Sequence, residues 1–243
     1  MDHTAPASAE TAPAESPSTG PRLTVRGEAR LDVAPELARL TVAVTARGTD
    51  RRTTLDDLTR RNDQVLALVR GYGDAVQRTE SGPLTVRAEL NPHRRGEKVR
   101  AHHGRASLTV ETGDFTVLGE LVTRLADLDL TRVDGPWWSL APDSPVHRTA
   151  RQNAVRDAVR RAHEYAEALG GRLTALLDLA DEGTEQYAVE HHDHAVFARA
   201  AARPEAADEP TPVDLEPRRQ TVHARVTARF TMTPADLSPN DTE

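Results

Sequence analysis

Between Val222 and Met232 every second residue is apolar, Val222, Ala224, Val226, Ala228, Phe230 and Met232, and those between them are polar or charged. Successive side chains of a strand point to opposite faces, so this pattern fits a strand with one dry face and one wet face. The same alternation sets Leu23, Val25, Ala29, Leu31 and Val33 against Thr24, Arg26, Glu28, Arg30 and Asp32. It sets Ala38, Leu40, Val42, Val44 and Ala46 against Arg39, Thr41, Thr45 and Arg47. Shorter runs at Leu84–Leu90, Ala106–Val110 and Leu173–Leu179 repeat it, and a further strand is expected through Val133, Trp137 and Leu140. Strands wetted on one face imply a largely antiparallel sheet.

Three helices interleave with these strands. Thr53 followed by Asp56 resembles a capping box, and Leu55, Leu58, Val65, Leu66 and Val69 then form an apolar stripe that ends near Gly71. A second helix is expected after Asp114, carrying Phe115, Leu118, Leu121, Val122 and Leu125. The third opens on Ser144 and Pro145, closes on Gly170-Gly171, and places Ala150, Ala154, Ala158, Ala162 and Ala166 four residues apart. At 1.5 Å per residue it is about 39 Å long. The predicted fold is α+β, order β-β-α-β-β-α-β-α-β-β, with helices packed on one face of the sheet.

Composition removes several function classes. Hydrophobic residues at 37% supply a core, and aromatics at 3% make it an aliphatic one. No cysteine is present, which excludes disulfides, thiolate metal sites and a cysteine nucleophile. A net charge of −7 argues against a general nucleic-acid binder. Before Arg22 there is neither a Lys or Arg nor an apolar run, so the segment cannot act as a secretory signal, and no later stretch is apolar enough to span a bilayer. Read as a native start, Met1 implies a cytoplasmic protein.

Two stretches are rich in proline and carboxylates. Residues 1–21 and the excursion 183–217, with Pro204, Pro210, Pro212 and Pro217, bury too little apolar surface to fold and are expected to be mobile. The organisation read from the sequence is a disordered tail over 1–21, one domain over 22–234 that carries the excursion, and a flexible tail over 235–243.

The element order combines with V-x-G-E-x-x-x-x-V-x-P-E-x-A at Val25–Ala38, Asn62 in the first helix and an alanine-rich helix closing on Leu169-Gly170-Gly171. In this it resembles the SIMPL-domain family, from about Leu23 to Thr233. Animal members of that family associate with a Pelle-like kinase; bacterial members are mostly exported and include a periplasmic immunogen that forms a large hollow oligomer. The resemblance implies a non-enzymatic bacterial protein that acts by self-association or partner binding, as a homo-oligomer or with a protein partner, with links to stress tolerance. It transfers no catalytic residue and no cofactor. The chain departs from the exported members in its N-terminus and in the excursion.

Individual residues are read first by their simplest structural role. Gly27 suits a bulge or close approach, and Pro35 a strand end. Asn62 is expected to tie its helix to a neighbouring backbone. The alanines are expected to pack on the chain's own sheet. Of the adjacent Trp137 and Trp138, one should fill core and the other lie at the surface. The alternative function is divalent-metal or small-ligand binding by His191, His192 and His194 in the sequence EHHDH, with Glu190 or Asp193 as oxygen donors. His102 and His103 are placed on the turn side of a hairpin. Arg26, Arg30, Arg39, Arg47, Arg87, Arg225 and Arg229 are predicted to share the wet sheet face with few acids. Arg39, Arg225 and Arg229 are the interface candidates there, for an acidic partner such as the chain's own acidic excursion or a second subunit. No nucleophile elbow, phosphate loop or metalloprotease helix is present.

Overall fold

The computed structural model describes residues 20–90, 99–187 and 211–236. Its elements are β1 (Arg22–Val33), β2 (Leu37–Gly48), α1 (Arg51–Arg70), a 3-10 turn at Gly73–Ala75, β3 (Val76–Ser81), β4 (Thr85–Leu90), β5 (Val99–Thr112), α2 (Leu118–Ala126), β6 (Thr131–Ser139), α3 (Pro145–Ala168), β7 (Leu173–Tyr187) and β8 (Gln220–Met232). The predicted α+β order holds, with β3 added. In place of a single sheet, the described strands form a three-stranded sheet, β1-β8-β7, and a five-stranded one, β3-β5-β2-β6, with β4 also paired to β5. The chain divides into two compact units: Met1–Arg30, Val146–Glu185 and His223–Glu243 form the first, and Leu31–Pro145 and Gln186–Val222 the second.

In the first unit the alanine row of α3 is fully buried, with Ala150, Ala154, Ala158 and Ala162 at 0% exposure and Ala166 at 1%. Its partner is Gly27 of β1. A methyl group there would lie 2.1 Å from the Ala154 carbonyl oxygen and 2.5 Å from the Ala158 nitrogen, so only a residue without Cβ lets strand and helix meet. The Glu28 N–H donates to Asp157 on α3 at 3.0 Å. The predicted packing of the alanines on the chain's own sheet is therefore present. The helix ends through a left-handed Gly170 (φ 69°), with the Gly171 N–H returning to the Ala166 carbonyl at 2.8 Å.

In the second unit β5 pairs antiparallel with β2, β3 and β4, and β2 pairs antiparallel with β6. The inward rows of β2 and β5, Leu40, Val42, Val44, Leu108 and Val110, join Leu58, Val65 and Val69 of α1 and Leu118, Leu121 and Leu125 of α2 in one aliphatic core. Each fully buried Leu or Val contributes about 1.5–3 kcal/mol. Helix α1 starts three residues earlier than its sequence suggested: Asp50 is the N-cap, accepting from the Thr53 N–H at 2.9 Å and its hydroxyl at 2.7 Å. These bonds, the backbone one first, hold the Asp50 carboxyl below its ordinary range. Asn62 is half-buried on this helix.

Glu36, in the Pro-Glu motif, accepts from the Ala141 N–H at 2.9 Å and the Ser144 hydroxyl at 2.8 Å, fixing the segment before α3. Trp138 meets Phe115 edge-on at 4.9 Å while Trp137 is 51% exposed, the division expected of adjacent strand residues. Of the predicted excursion, 188–210 lie outside the described residues, as do 1–19 and 237–243 of the tails. Gly183–Tyr187 continue β7, and the Val213 N–H donates to Thr123 on α2 at 3.1 Å. Leu215 packs against the aliphatic core.

Candidate functional site

The core of the second unit takes one face of its sheet and leaves a polar face, whose rows follow from register. Arg47 and Arg87 flank His103 from the strands on either side, and Thr45 and Thr85 flank Arg105. Farther along, Arg39 stands opposite Glu111 on one side and Trp137 on the other.

Charges on this face are largely matched. Arg39 engages Glu111 at 2.6 Å. Glu89 gathers Arg47 at 2.9 Å, His103 at 2.6 Å and Arg100 at 3.5 Å. The His103 hydrogen bond first, and then that from Arg47, holds the Glu89 carboxyl below its usual range. All these groups keep contact with solvent, so each pair contributes little to stability. Beside the Glu89 group, Thr45, Thr85, Arg87, His103, Arg105 and Ser107 line a cavity of about 530 Å³. His102 and His103 thus lie within β5, beside Gly48 and Arg47, and not at a turn. The Nδ1 of His102 is buried with no hydrogen-bond partner among the described residues.

The predicted arginine face is divided. Arg39, Arg47 and Arg87 belong to the five-stranded sheet, whereas Arg26, Arg30, Arg225 and Arg229 lie on β1 and β8 of the three-stranded one. Acids are also more numerous beside these arginines than expected, because Glu111 meets Arg39 and Glu182 meets Arg26 at 3.5 Å. Arg225 is half-buried and Arg229 exposed. His191, His192 and His194 lie outside the described residues, and no group of three His, Asp or Glu side chains fit to hold a metal occurs among the described ones. No helix among the described residues is long and apolar enough to cross a membrane.

Two features escaped the sequence reading. Arg105 precedes the predicted run Ala106–Val110, and only the alternation carried back through Gly104 places it on one face with His103 and Ser107. The second is β7, an edge strand of the three-stranded sheet with Leu176 55%, Leu177 41% and Leu179 45% exposed. Its leucines fit ordinary alternation, which does not reveal that a strand lies at an edge.

The family model of SIMPL, described as a protein of unknown function (DUF541), matches residues 23–230. No curated protein matches the chain.

Proposed function

The chain belongs to the SIMPL family, and we propose that it works without catalysing a reaction, by associating with a second copy of itself along β7. The observation that carries this reading is the 15-residue edge strand with three exposed leucines. An edge presents a row of backbone N–H and C=O groups to any strand laid beside it, and natural sheets usually block such rows with charge, proline or a bulge. In β7 that protection comes late. Asp181, Glu182 and a left-handed Gly183 (φ 93°) end a stretch of which Asp178 is the one charged residue.

Antiparallel self-pairing about a twofold axis at Leu177 puts Leu177 opposite its own copy, Leu179 opposite Ala175 and Asp178 opposite Leu176. It sets Glu182 opposite Arg172 at both ends, and no acid faces an acid. A twofold interface requires this self-complementarity, since every contact occurs twice.

Sedimentation and light scattering of the purified chain across micromolar concentrations test the proposal. A concentration-dependent dimer or larger assembly is expected, and Leu177→Lys and Leu179→Lys should each shift it to monomer without lowering thermal stability, because both side chains are exposed. A strictly monomeric protein would refute self-association. An assembly untouched by either lysine would refute β7 as its seat.

A further inference from the structure

The strands of the five-stranded sheet carry Arg39, Arg47, Arg78, Arg87, Arg100, Arg105 and Arg132. Five of these have a carboxylate close by: Arg39 with Glu111 at 2.6 Å, Arg47 with Glu89 at 2.9 Å, Arg78 with Glu80 at 2.5 Å, Arg100 with Glu89 at 3.5 Å and Arg132 with Asp134 at 2.7 Å. Arg87 and Arg105 have none among the described residues, and these two line the same cavity. We propose that this cavity binds the phosphoryl group of a phosphate monoester.

Register explains how the two guanidinium groups come together. Arg87 is opposite His103, and Arg105 is opposite Thr85. The arginines are thus diagonal neighbours on adjacent strands, a spacing of about 7–8 Å and somewhat less between Cβ atoms, within reach of one ligand for long side chains. A planar carboxylate can be held by one guanidinium fork. Two forks from different strands suit a tetrahedral oxyanion, whose oxygens point in several directions. Thr85 and Ser107 add hydroxyl donors from the same lining.

Among the described residues no carboxylate lines the cavity. Glu89, which bonds the lining residue His103, is also engaged by Arg47 and Arg100, so its repulsion of an anion is offset. A volume of about 530 Å³ admits an organic group beyond the phosphate. The cavity lies wholly within the second unit, so its occupancy does not depend on pairing through β7.

The source of the phosphoryl group is a soluble monoester or the headgroup of phosphatidate, and the experiment separates them. Calorimetry on the full chain uses inorganic phosphate and glycerol phosphate, and flotation uses phosphatidylcholine vesicles with and without phosphatidate. Saturable heat with the soluble ligands identifies a soluble source, whereas binding only to phosphatidate vesicles identifies a lipid headgroup. Under either source Arg87→Gln and Arg105→Gln should each weaken binding about tenfold or more, as expected for losing a charge-assisted hydrogen bond. Arg132→Gln, on the same sheet but paired with Asp134, should leave it unchanged. Absence of saturable binding in both arms, or equal loss in all three variants, would overturn the proposal.

Discussion

Replacing Gly27 by Ala adds one methyl group where strand and helix backbones touch. The new Cβ would stand 2.1 Å from the Ala154 carbonyl oxygen, 2.5 Å from the Ala158 nitrogen and 2.7 Å from the Ala158 methyl. Restoring an ordinary 3.4 Å contact to the carbonyl requires about 1.3 Å of withdrawal. The obstruction is main chain, so no rotamer change relieves it and α3 has to move as a body. A radial gap of 0.5–1 Å already forfeits a quarter to a half of a dispersion contact, so the alanine row would loosen along its length. Overpacking of this kind costs about 3 kcal/mol, the upper end of the usual range. Removing a glycine from a strand offsets about 0.5–1 kcal/mol of that. The net loss is about 2 kcal/mol, or a melting temperature lower by about 4–8 °C. Thermal and urea unfolding followed by circular dichroism measure it. A second substitution, Ala158→Gly, supplies the decisive comparison: it removes only the 2.7 Å methyl contact, leaves both backbone atoms in place and costs helix propensity of its own. A double variant more stable than Gly27→Ala alone, or a single variant as stable as the parent, would refute the backbone argument.

Other substitutions probe the remaining contacts. Glu36→Ala deprives the Ala141 N–H and the Ser144 hydroxyl of their acceptor. It should cost about 1–3 kcal/mol in urea unfolding, with Glu36→Gln recovering part of the loss through its remaining carbonyl. For Asp157, desolvation raises the pKa but is outweighed by the Glu28 N–H and by Arg160 and Arg161, which hold the carboxyl below its ordinary range. A depressed carboxyl stabilises the fold above its unfolded pKa and loses that contribution as pH falls through the folded value. The stability gap between Asp157→Asn and the parent, read by thermal melts, should therefore be present at pH 7 and close as pH falls below 4. In the β7 pairing, Arg172→Glu should weaken association and Arg172→Glu with Glu182→Arg should restore it, as sedimentation would report.

The sheet strands were legible wherever one face is dry, because a period of two survives any tertiary arrangement. The sequence VQRTES of β3 was not, since only Val76 is half-buried and the remainder is exposed on both faces. Its membership comes from pairing with β5, a long-range contact without a local pattern. The same reason hid the division into two sheets: β1 lies beside β8, nearly two hundred residues away, and alternation is silent about neighbours. The start of α1 was misplaced because Asp50 and Thr53 are both good caps, and the side chain of one bonds to the other. The alanine row announced a close approach, but its partner Gly27 is more than a hundred residues distant.

The charge balance of the whole chain gave the wrong scale for the arginine face. A net charge of −7 disfavours a surface that binds long polyanions, yet it acts weakly on a single cavity, because exposed charges are screened within about 8 Å at physiological ionic strength. What matters to a small anion is which groups lie inside that radius. Along β2 and β3, acids placed opposite or beside the arginines neutralise them, Glu111 for Arg39 and Glu80 for Arg78. Where β4 joins β5, the acid paired with this face among the described residues is Glu89, and Arg47, Arg100 and His103 engage it. Among the described residues Arg87 and Arg105 are therefore left without a carboxylate partner, as a consequence of register that neither composition nor a count of arginines could display.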